Sequence, residues 1–171
     1  MAPGLGRGPG VVSVRRAVAA DVPTLVRFSR ALGRHEGDPV HHVTAGRMLA
    51  DGFGRRPQFR AWLAELDGRP AGYSFDHDAY SGVYMERGIY LMDLYVDPRA
   101  RRRGVARALV TAVARAARRR GRTYLWWNSN GGNVDAHTFY AGLGARIETA
   151  RLHVLGTAAL NALAGPRKAA G

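Results

Sequence analysis

Cysteine is absent from the 171 residues, which excludes disulfides, a thiolate nucleophile, thiolate zinc sites and cysteine-held iron–sulfur clusters while leaving the compartment open. Lysine occurs once, at Lys168, so the rest of the 26 basic side chains are arginine. Acidic residues number only 13, and the formal net charge is +13. Long apolar runs are also lacking: none approaches the roughly 20 residues that cross a bilayer, so no membrane partner is expected. The opening MAPGLGRGPG has no hydrophobic signal core. It predicts a disordered tail and, by default, a cytoplasmic address. Its alternating glycines follow no strand and so do not read as a phosphate loop. The six histidines show no ligand spacing, and no metal is expected.

What is present suits one globular domain. With 46% of residues hydrophobic and 23% charged, the expected division is a tail at 1–10, a domain at 11–165 and a tail at 166–171. A chain of this length buries about 70% of its unfolded surface, so its core needs no covalent or metal staple. The positive excess predicts attraction to anions. A GC-rich coding sequence would produce part of it, because such a genome favours arginine without selection for binding. The distribution is nevertheless uneven: residues 99–122 hold ten arginines and no carboxylate, which points to a localised anion site. Nucleic acid as that anion calls for interleaved aromatic side chains, and the stretch has none.

Alternation over residues 11–15 predicts an opening strand, and Asp21 is placed to cap a helix carrying Val22, Leu25, Val26, Phe28, Ser29 and Leu32 and ending near Gly33. Residues 35–42 read as a loop. Thr44 then caps a short helix through Met48 and Leu49 that stops at Gly52 and Gly54. Apolar runs at 59–66 and 71–75 flank Asp67-Gly68-Arg69-Pro70, a hairpin signature. A strand at 89–96 leads through a basic turn into a helix from about Gly104, with Val105, Leu109, Ala112, Val113 and Ala116 at helical spacing. The remainder predicts a strand at 124–127, a polar loop at 128–133, a short helix at 134–142 and a last strand at 152–155. Thr157 should cap a terminal helix ending near Gly165 and Pro166. Hairpins mixed with crossovers predict an α/β fold around one mixed sheet.

The informative junction is YLMDLYVDPRARRRGVARAL: a strand, a basic turn with one glycine, and a helix. A helix N-terminus presents unpaired N–H groups and about half a positive charge, Gly104 admits close approach of a pyrophosphate, and the arginines add bidentate donors. The turn has no Gly-Lys-Ser/Thr, so nucleotide hydrolysis with Mg²⁺ loses its main support. The stretch from Arg101 to Ala106 resembles the acetyl-CoA pyrophosphate signature of the GNAT N-acetyltransferase superfamily, Gln/Arg-x-x-Gly-x-Gly/Ala. Residues 133–145, NVDAHTFYAGLGA, are similar to its second cofactor segment, Asn-x-x-Ala-x-x-Phe-Tyr-x-x-Leu-Gly. LADGFG at 49–54, the hairpin AWLAELDGRPAGYSF, the strand IYLMDLYV and the ending RLHVLGTAAL extend the resemblance to the spermidine/spermine (diamine) N-acetyltransferase branch, from about Val14 to Leu163.

That resemblance implies a GNAT-like, mixed but mostly antiparallel central sheet flanked by helices in a single domain. It further implies acetyl-CoA as cosubstrate without a metal, transfer to the primary amine of a small molecule with polyamine-like amines in range, and a homodimer. Contacts to acetyl and pantetheine would come from Leu94, Tyr95 and Val96, and diphosphate contacts from Arg101, Arg102, Arg103, Gly104, Val105, Ala106 and Arg107. Asn133, Ala136 and Tyr140 would complete the cofactor site. Tyr140 sits where the family places the acid that protonates the departing thiolate, and His137 lies three residues before it on the same helical face.

An acceptor amine arrives as an ammonium with pKa about 10 and must lose a proton before it attacks. The diamine branch carries a glutamate where this chain has Met92, which accepts no proton. Strand alternation puts Asp93 on the opposite face, as a structural residue. Asp76, Asp78, Glu36 and Asp38 stay open as acidic candidates, as does a water relay. Met92, Glu36 and Trp127 are the expected acceptor contacts. Tyr80, Tyr84, Tyr90 and Trp126 are further candidates, expected mostly in the core. A polycation is repelled by the net charge, but screening over about 8 Å lets a local acidic pocket prevail. Two other functions fit the same motifs: a non-catalytic acyl-CoA-binding protein and an acetyltransferase of a protein amine.

Overall fold

A computed structural model describes residues 10–165; of the two expected tails, all but Gly10 lie outside them. The chain divides into two compact units, Met1–Asn130 and Gly131–Gly171.

The first unit contains β1 (Val12–Arg16), α1 (Val22–Glu36), α2 (Ala45–Phe53), β2 (Arg60–Leu66), β3 (Arg69–Ser81), β4 (Glu86–Val96), α3 (Val105–Arg119) and β5 (Tyr124–Trp126). The five strands form one sheet in the order β1-β2-β3-β4-β5. The first three pairings are antiparallel. β5 joins β4 in parallel, which the α3 crossover permits and a short hairpin does not. Leu66 faces Arg69 across a two-residue turn in which Asp67 (φ 53°) and Gly68 (φ 73°) are both left-handed, as the Asp-Gly pair predicts.

Register assigns the faces. Ala61, Leu63, Tyr73, Phe75 and Tyr95 pack beneath Val22, Leu25 and Phe28 of α1 and Met48 of α2. The Phe28 ring lies 6.3 Å from Tyr73 and 5.4 Å from Tyr95. Truncating Leu25 or Phe28 to alanine in such a setting costs about 2–5 kcal/mol. The opposite face is covered by α3, whose buried stripe is Val105, Leu109, Val110, Val113 and Ala117 and which touches β1 to β4. Glycine is required at Gly72, where a Cβ would stand 2.5 Å from the Tyr95 carbonyl oxygen and 3.3 Å from Val105.

Several sequence expectations are corrected. α1 does not end near Gly33 but runs a further turn to Glu36 and closes at Gly37, φ 81°. Gly33 serves close packing instead, since a Cβ there would lie 2.7 Å from Val40. Asp21 occupies the N-cap position, but its carboxylate accepts from the Val18 amide (2.8 Å) and pairs with Arg15. Thr44 does cap α2, accepting from the Arg47 amide at 3.3 Å. β3 extends past the expected 71–75 to Ser81, because its polar outer half is held by pairing with β4.

The second unit holds α4 (Val134–Ala141) and α5 (Thr157–Ala164). No strand forms at 152–155. Alternation specifies a strand only where an edge is available to pair, and among the described residues none pairs with this segment. Thr157 is the first helical residue rather than the cap, which falls on Gly156 and has no side-chain bond.

Candidate active site

Two features of the first unit meet along β4. On one edge β4 pairs with β3 throughout; on the other it pairs with β5 only at Gly88, Ile89 and Tyr90. Beyond Tyr90 that second edge, including Leu94, Tyr95 and Val96, has no strand partner among the described residues. An extended polar group can pair with such an edge as an added strand would.

At the end of β4 the chain turns sharply. The Asp97 amide donates to the Ala71 carbonyl (2.9 Å), and the Asp97 carboxylate accepts from the Arg99 amide (3.0 Å). Arg102 (φ 61°) and Gly104 (φ 82°) are left-handed, and Gly104 opens α3 without any side-chain cap. The first-turn amides of α3 are thus left to an outside acceptor, where the helix dipole favours an anion. The expected arginines divide here. Arg102 is exposed, whereas Arg103 lies 3.6 Å from Asp67 and the Arg101 Nε donates to the Val96 carbonyl at 3.4 Å. Val105 is a core residue, Ala106 is half-buried and Arg107 is exposed.

Toward its middle β4 carries a bulge. Asp76 faces Leu91 and Phe75 faces Asp93, so residues adjacent on β3 match residues two apart on β4, and Met92 is the extra one. Leu91 therefore shares the α3 face with Asp76, and Asp93 shares the α1/α2 face with Phe75. The expectation that Asp93 opposes the Met92 side rested on regular alternation, and the bulge breaks it: counted from Leu91, alternation assigns the α1/α2 face to Met92, and the register gives that face to Asp93.

Asp93 is held from the core. The hydroxyl of the fully buried Tyr73 donates to its Oδ2 at 2.7 Å. Burial pushes the Asp93 carboxyl above its usual range, and the Tyr73 hydrogen bond partly offsets this. Burial, with the Asp93 charge behind it, raises the Tyr73 phenol well above its ordinary value and keeps it protonated. Glu36, at the exposed end of α1, is raised by partial desolvation and by repulsion from Asp38 and Asp93. These carboxylates form an acidic patch in a strongly basic chain. Met92 beside them is 44% exposed.

On the same sheet face an aromatic run continues outward. Ring centroids are separated by 5.5 Å for His77 and Tyr90, 6.1 Å for Tyr90 and Trp126, 4.9 Å for Trp126 and Tyr124, and 5.3 Å for Tyr124 and Tyr84. Asn128 donates to the Tyr90 hydroxyl at 3.1 Å. The expectation that most of these aromatics are core fails: Tyr80 and Tyr84 are exposed, and Tyr90, Trp126 and Trp127 are half-buried. Asp76 and Asp78 leave the list of acidic candidates because arginines hold them. Asp76 is bound by Arg60 and by the Trp62 indole, and Asp78 by Arg60, Arg120 and Arg122. Sequence reasoning missed Tyr73, whose tyrosine within an apolar run gives no sign of a polar partner.

In the second unit Asn133 caps α4, its Oδ1 accepting from the Ala136 amide at 3.1 Å. Tyr140 is half-buried on α4, its ring 5.2 Å from Phe139, and His137 is half-buried as well. The helix closes as the Leu143 and Ala145 amides donate to the Tyr140 carbonyl.

An open strand edge beside an uncapped basic helix start offers a place for an extended, anionic carrier, and comparison with known proteins gives the family. Residues 28–145 match the acetyltransferase (GNAT) family, to which this chain belongs. It is an acetyl-transferring enzyme. Among curated relatives, the thialysine N-epsilon-acetyltransferase of Sus scrofa is 32% identical over 145 residues, covering 79% of this chain and 84% of that protein. The spermidine/spermine N(1)-acetyltransferase-like protein 1 of Homo sapiens is 28% identical over 115 residues, 61% of this chain and 16% of that one. These relatives agree with the diamine branch that the motifs resemble. Among solved structures, an aminoglycoside acetyltransferase from an uncultured soil metagenomic sample, in complex with trehalose, superposes with a TM-score of 0.69 at 18% identity, over 85% of this chain and 95% of that chain, which supports the fold. Among the described residues no helix is long and apolar enough to cross a membrane, and no three His, Asp or Glu side chains gather as metal ligands.

Proposed function

We propose that the chain transfers the acetyl group of acetyl-CoA to the primary amine of a small cationic molecule, with Asp93 as the proton acceptor. The observation that carries this is Asp93 itself, turned by the bulge onto an acidic, aromatic-flanked face and tethered through one oxygen by Tyr73. The residues present fit the cosubstrate: the open edge at Leu94, Tyr95 and Val96 suits pantetheine, and the uncapped α3 start with Gly104, Ala106 and exposed Arg102 suits the diphosphate. When bound, acetyl-CoA supplies a thioester carbonyl activated toward nitrogen.

The chain's own work has three parts. Glu36, Asp38 and Asp93 draw in the ammonium, and the aromatic run supplies ring faces for the rest of a cation. Asp93 takes the proton that frees the nitrogen lone pair, so that attack forms the C–N bond. Backbone amides along the open β4 edge hold the carbonyl oxygen as it gains charge. As the C–S bond breaks, Tyr140 donates its phenolic proton to the sulfur, the role implied by the family pattern, and the second proton that the nitrogen sheds on becoming an amide restores the phenol; the same pattern implies cofactor contacts from Asn133 and Ala136. Met92 and Trp127 flank the acceptor. No metal enters these steps.

The thialysine and diamine relatives support a flexible aliphatic amine, and the cytoplasm is the proposed location. A dimer is proposed as in the branch: the exposed Leu152 and Val154 offer an apolar segment for a second copy, and light scattering decides this. The activity is tested by incubating the protein with acetyl-CoA and a panel of diamines, aminothiol ethers and aminoglycosides while following free thiol. Release that depends on the amine supports transfer, and binding without release makes the chain a passive acyl-CoA carrier. Tyr140→Phe should lower turnover about 100-fold with cofactor affinity nearly unchanged.

A further inference from the structure

A second concentration of arginine lies away from the proposed cofactor turn. A pocket of about 660 Å³ is lined by Arg16, Pro57, Gln58, Phe59, Arg60, His77, Asp78 and Arg120. Gly104 and Arg120 flank α3 at its two ends, so the two sites are separated by about 24 Å at 1.5 Å per residue.

Arg60, in the pocket wall, is held from behind. Asp76, 1% exposed, accepts from the Arg60 Nε (2.6 Å) through Oδ1 and from the Trp62 indole N–H (2.6 Å) through Oδ2. Asp78 is shared by Arg60, Arg120 and Arg122. Arg16 lies over the Trp62 ring at 5.2 Å and pairs with no carboxylate among the described residues. Four guanidinium groups thus surround two carboxylates, which leaves two positive charges. Arg16 is exposed as a whole, but partial desolvation of its guanidinium lowers its pKa; Asp76 opposes this, while repulsion from Arg60 and Arg120 adds to it. The buried Nη2 of Arg60 also lies against Asp76 Oδ1 as an ion pair, so that guanidinium is committed to Asp76 on two of its nitrogens. Gathering like charges, some of them partly desolvated, is unfavourable unless an anion offsets them.

We propose that this pocket binds a compact dianion of the phosphate class, as inorganic phosphate or as the phosphate ester of a small molecule. Size and charge both argue for it. A dianion neutralises the excess that a single carboxylate would halve, and the planar forks of Arg16 and Arg120 match phosphate oxygens in pairs. Arg60, fixed by Asp76, needs no ordering when the ligand arrives, which lowers the entropic cost of binding. The site stands independently of the acetyl-transfer reading.

The test uses the full chain saturated with coenzyme A, so that the α3 start is occupied. Thermal unfolding is compared in inorganic phosphate, in glucose 6-phosphate and in sodium chloride at equal ionic strength. Phosphate should raise Tm by several degrees over chloride. A larger rise with the sugar phosphate assigns the site to an ester, and an equal rise assigns it to the free ion. Arg16→Gln, at an exposed position, should abolish the increment while the shift induced by coenzyme A persists, and Arg16→Lys should retain part of it. If phosphate gives no increment over chloride, or if Arg16→Gln keeps the whole of it, the site does not exist. Should Arg16→Gln fold poorly, calorimetric titration of phosphate into Arg120→Gln decides the matter by the same criterion.

Discussion

Asp76 and Asp93 lie on neighbouring strands, little more than one β-pair apart in register, yet they face opposite sides of the sheet in opposite environments. Asp76, beneath the α3 side, is held by a guanidinium and an indole N–H. Asp93, on the α1/α2 side, receives one neutral hydroxyl and stands with Glu36 and Asp38 rather than with a cation. A carboxylate locked to arginine is fixed in place, and so serves architecture. One held by a phenol and pushed up by burial binds a proton more readily than an ordinary carboxylate, which suits a proton acceptor. The difference shows that acidic residues in a cleft must be sorted by partner before any is assigned to chemistry.

The strongest way to break this contrast is Asp93→Asn, nearly isosteric and still able to accept from Tyr73. Turnover should fall about 10²- to 10⁴-fold with the fold intact, measured as amine-dependent thiol release. An unchanged rate would return Asp93 to a structural role and leave a water relay as the proton path. Asp76→Ala should do the reverse. Stripping the buried Arg60 of its partner costs about 3–5 kcal/mol of unfolding free energy by denaturant titration, while the folded fraction retains its turnover.

A finer test uses Tyr73→Phe, which removes the hydrogen bond that lowers the Asp93 carboxyl. The carboxyl rises further. Because the base works deprotonated, the acid limb of kcat/KM should move to higher pH, at a stability cost of about 1–3 kcal/mol for the lost bond to a charged group. A flat response of the pH profile would uncouple Tyr73 from the chemistry.

The smallest expected effect is on stability against pH, and its sign differs between the two sides of the sheet. The Asp93 carboxyl is raised, so the folded state holds its proton more tightly than the unfolded chain. Its contribution is present in acid, below the unfolded value of about 4, and is lost as pH rises through the folded value. Asp93→Asn should therefore raise Tm at neutral pH and not in acid. Asp78 is lowered: burial pushes its carboxyl up, but a hydrogen bond from Arg122 and the charges of Arg60, Arg120 and Arg122 outweigh it. Its contribution exists above the unfolded value and is lost as pH falls through the folded one. Asp78→Asn should thus cost stability at neutral pH alone.

Much of this was legible in the chain. Local chemistry specified the Asp-Gly hairpin, the Thr44 cap, the apolar stripe of α3 and the uncapped glycine turn, because each depends on residues within a few positions of one another. The family signatures lie in the same short segments. The extent of β3, the fate of 152–155 and the commitment of Arg103 to Asp67 were not legible, since each depends on what a distant segment offers.

The sequence by itself determined that these strands and helices form, that a basic helix start follows β4, and that no cysteine or Met92 carboxylate exists to do the chemistry. Only the tertiary structure decided which face of the sheet Asp93 takes. A side chain's face follows from strand register, and the single extra residue at Met92 comes from pairing with β3, a partner that no local pattern in β4 encodes.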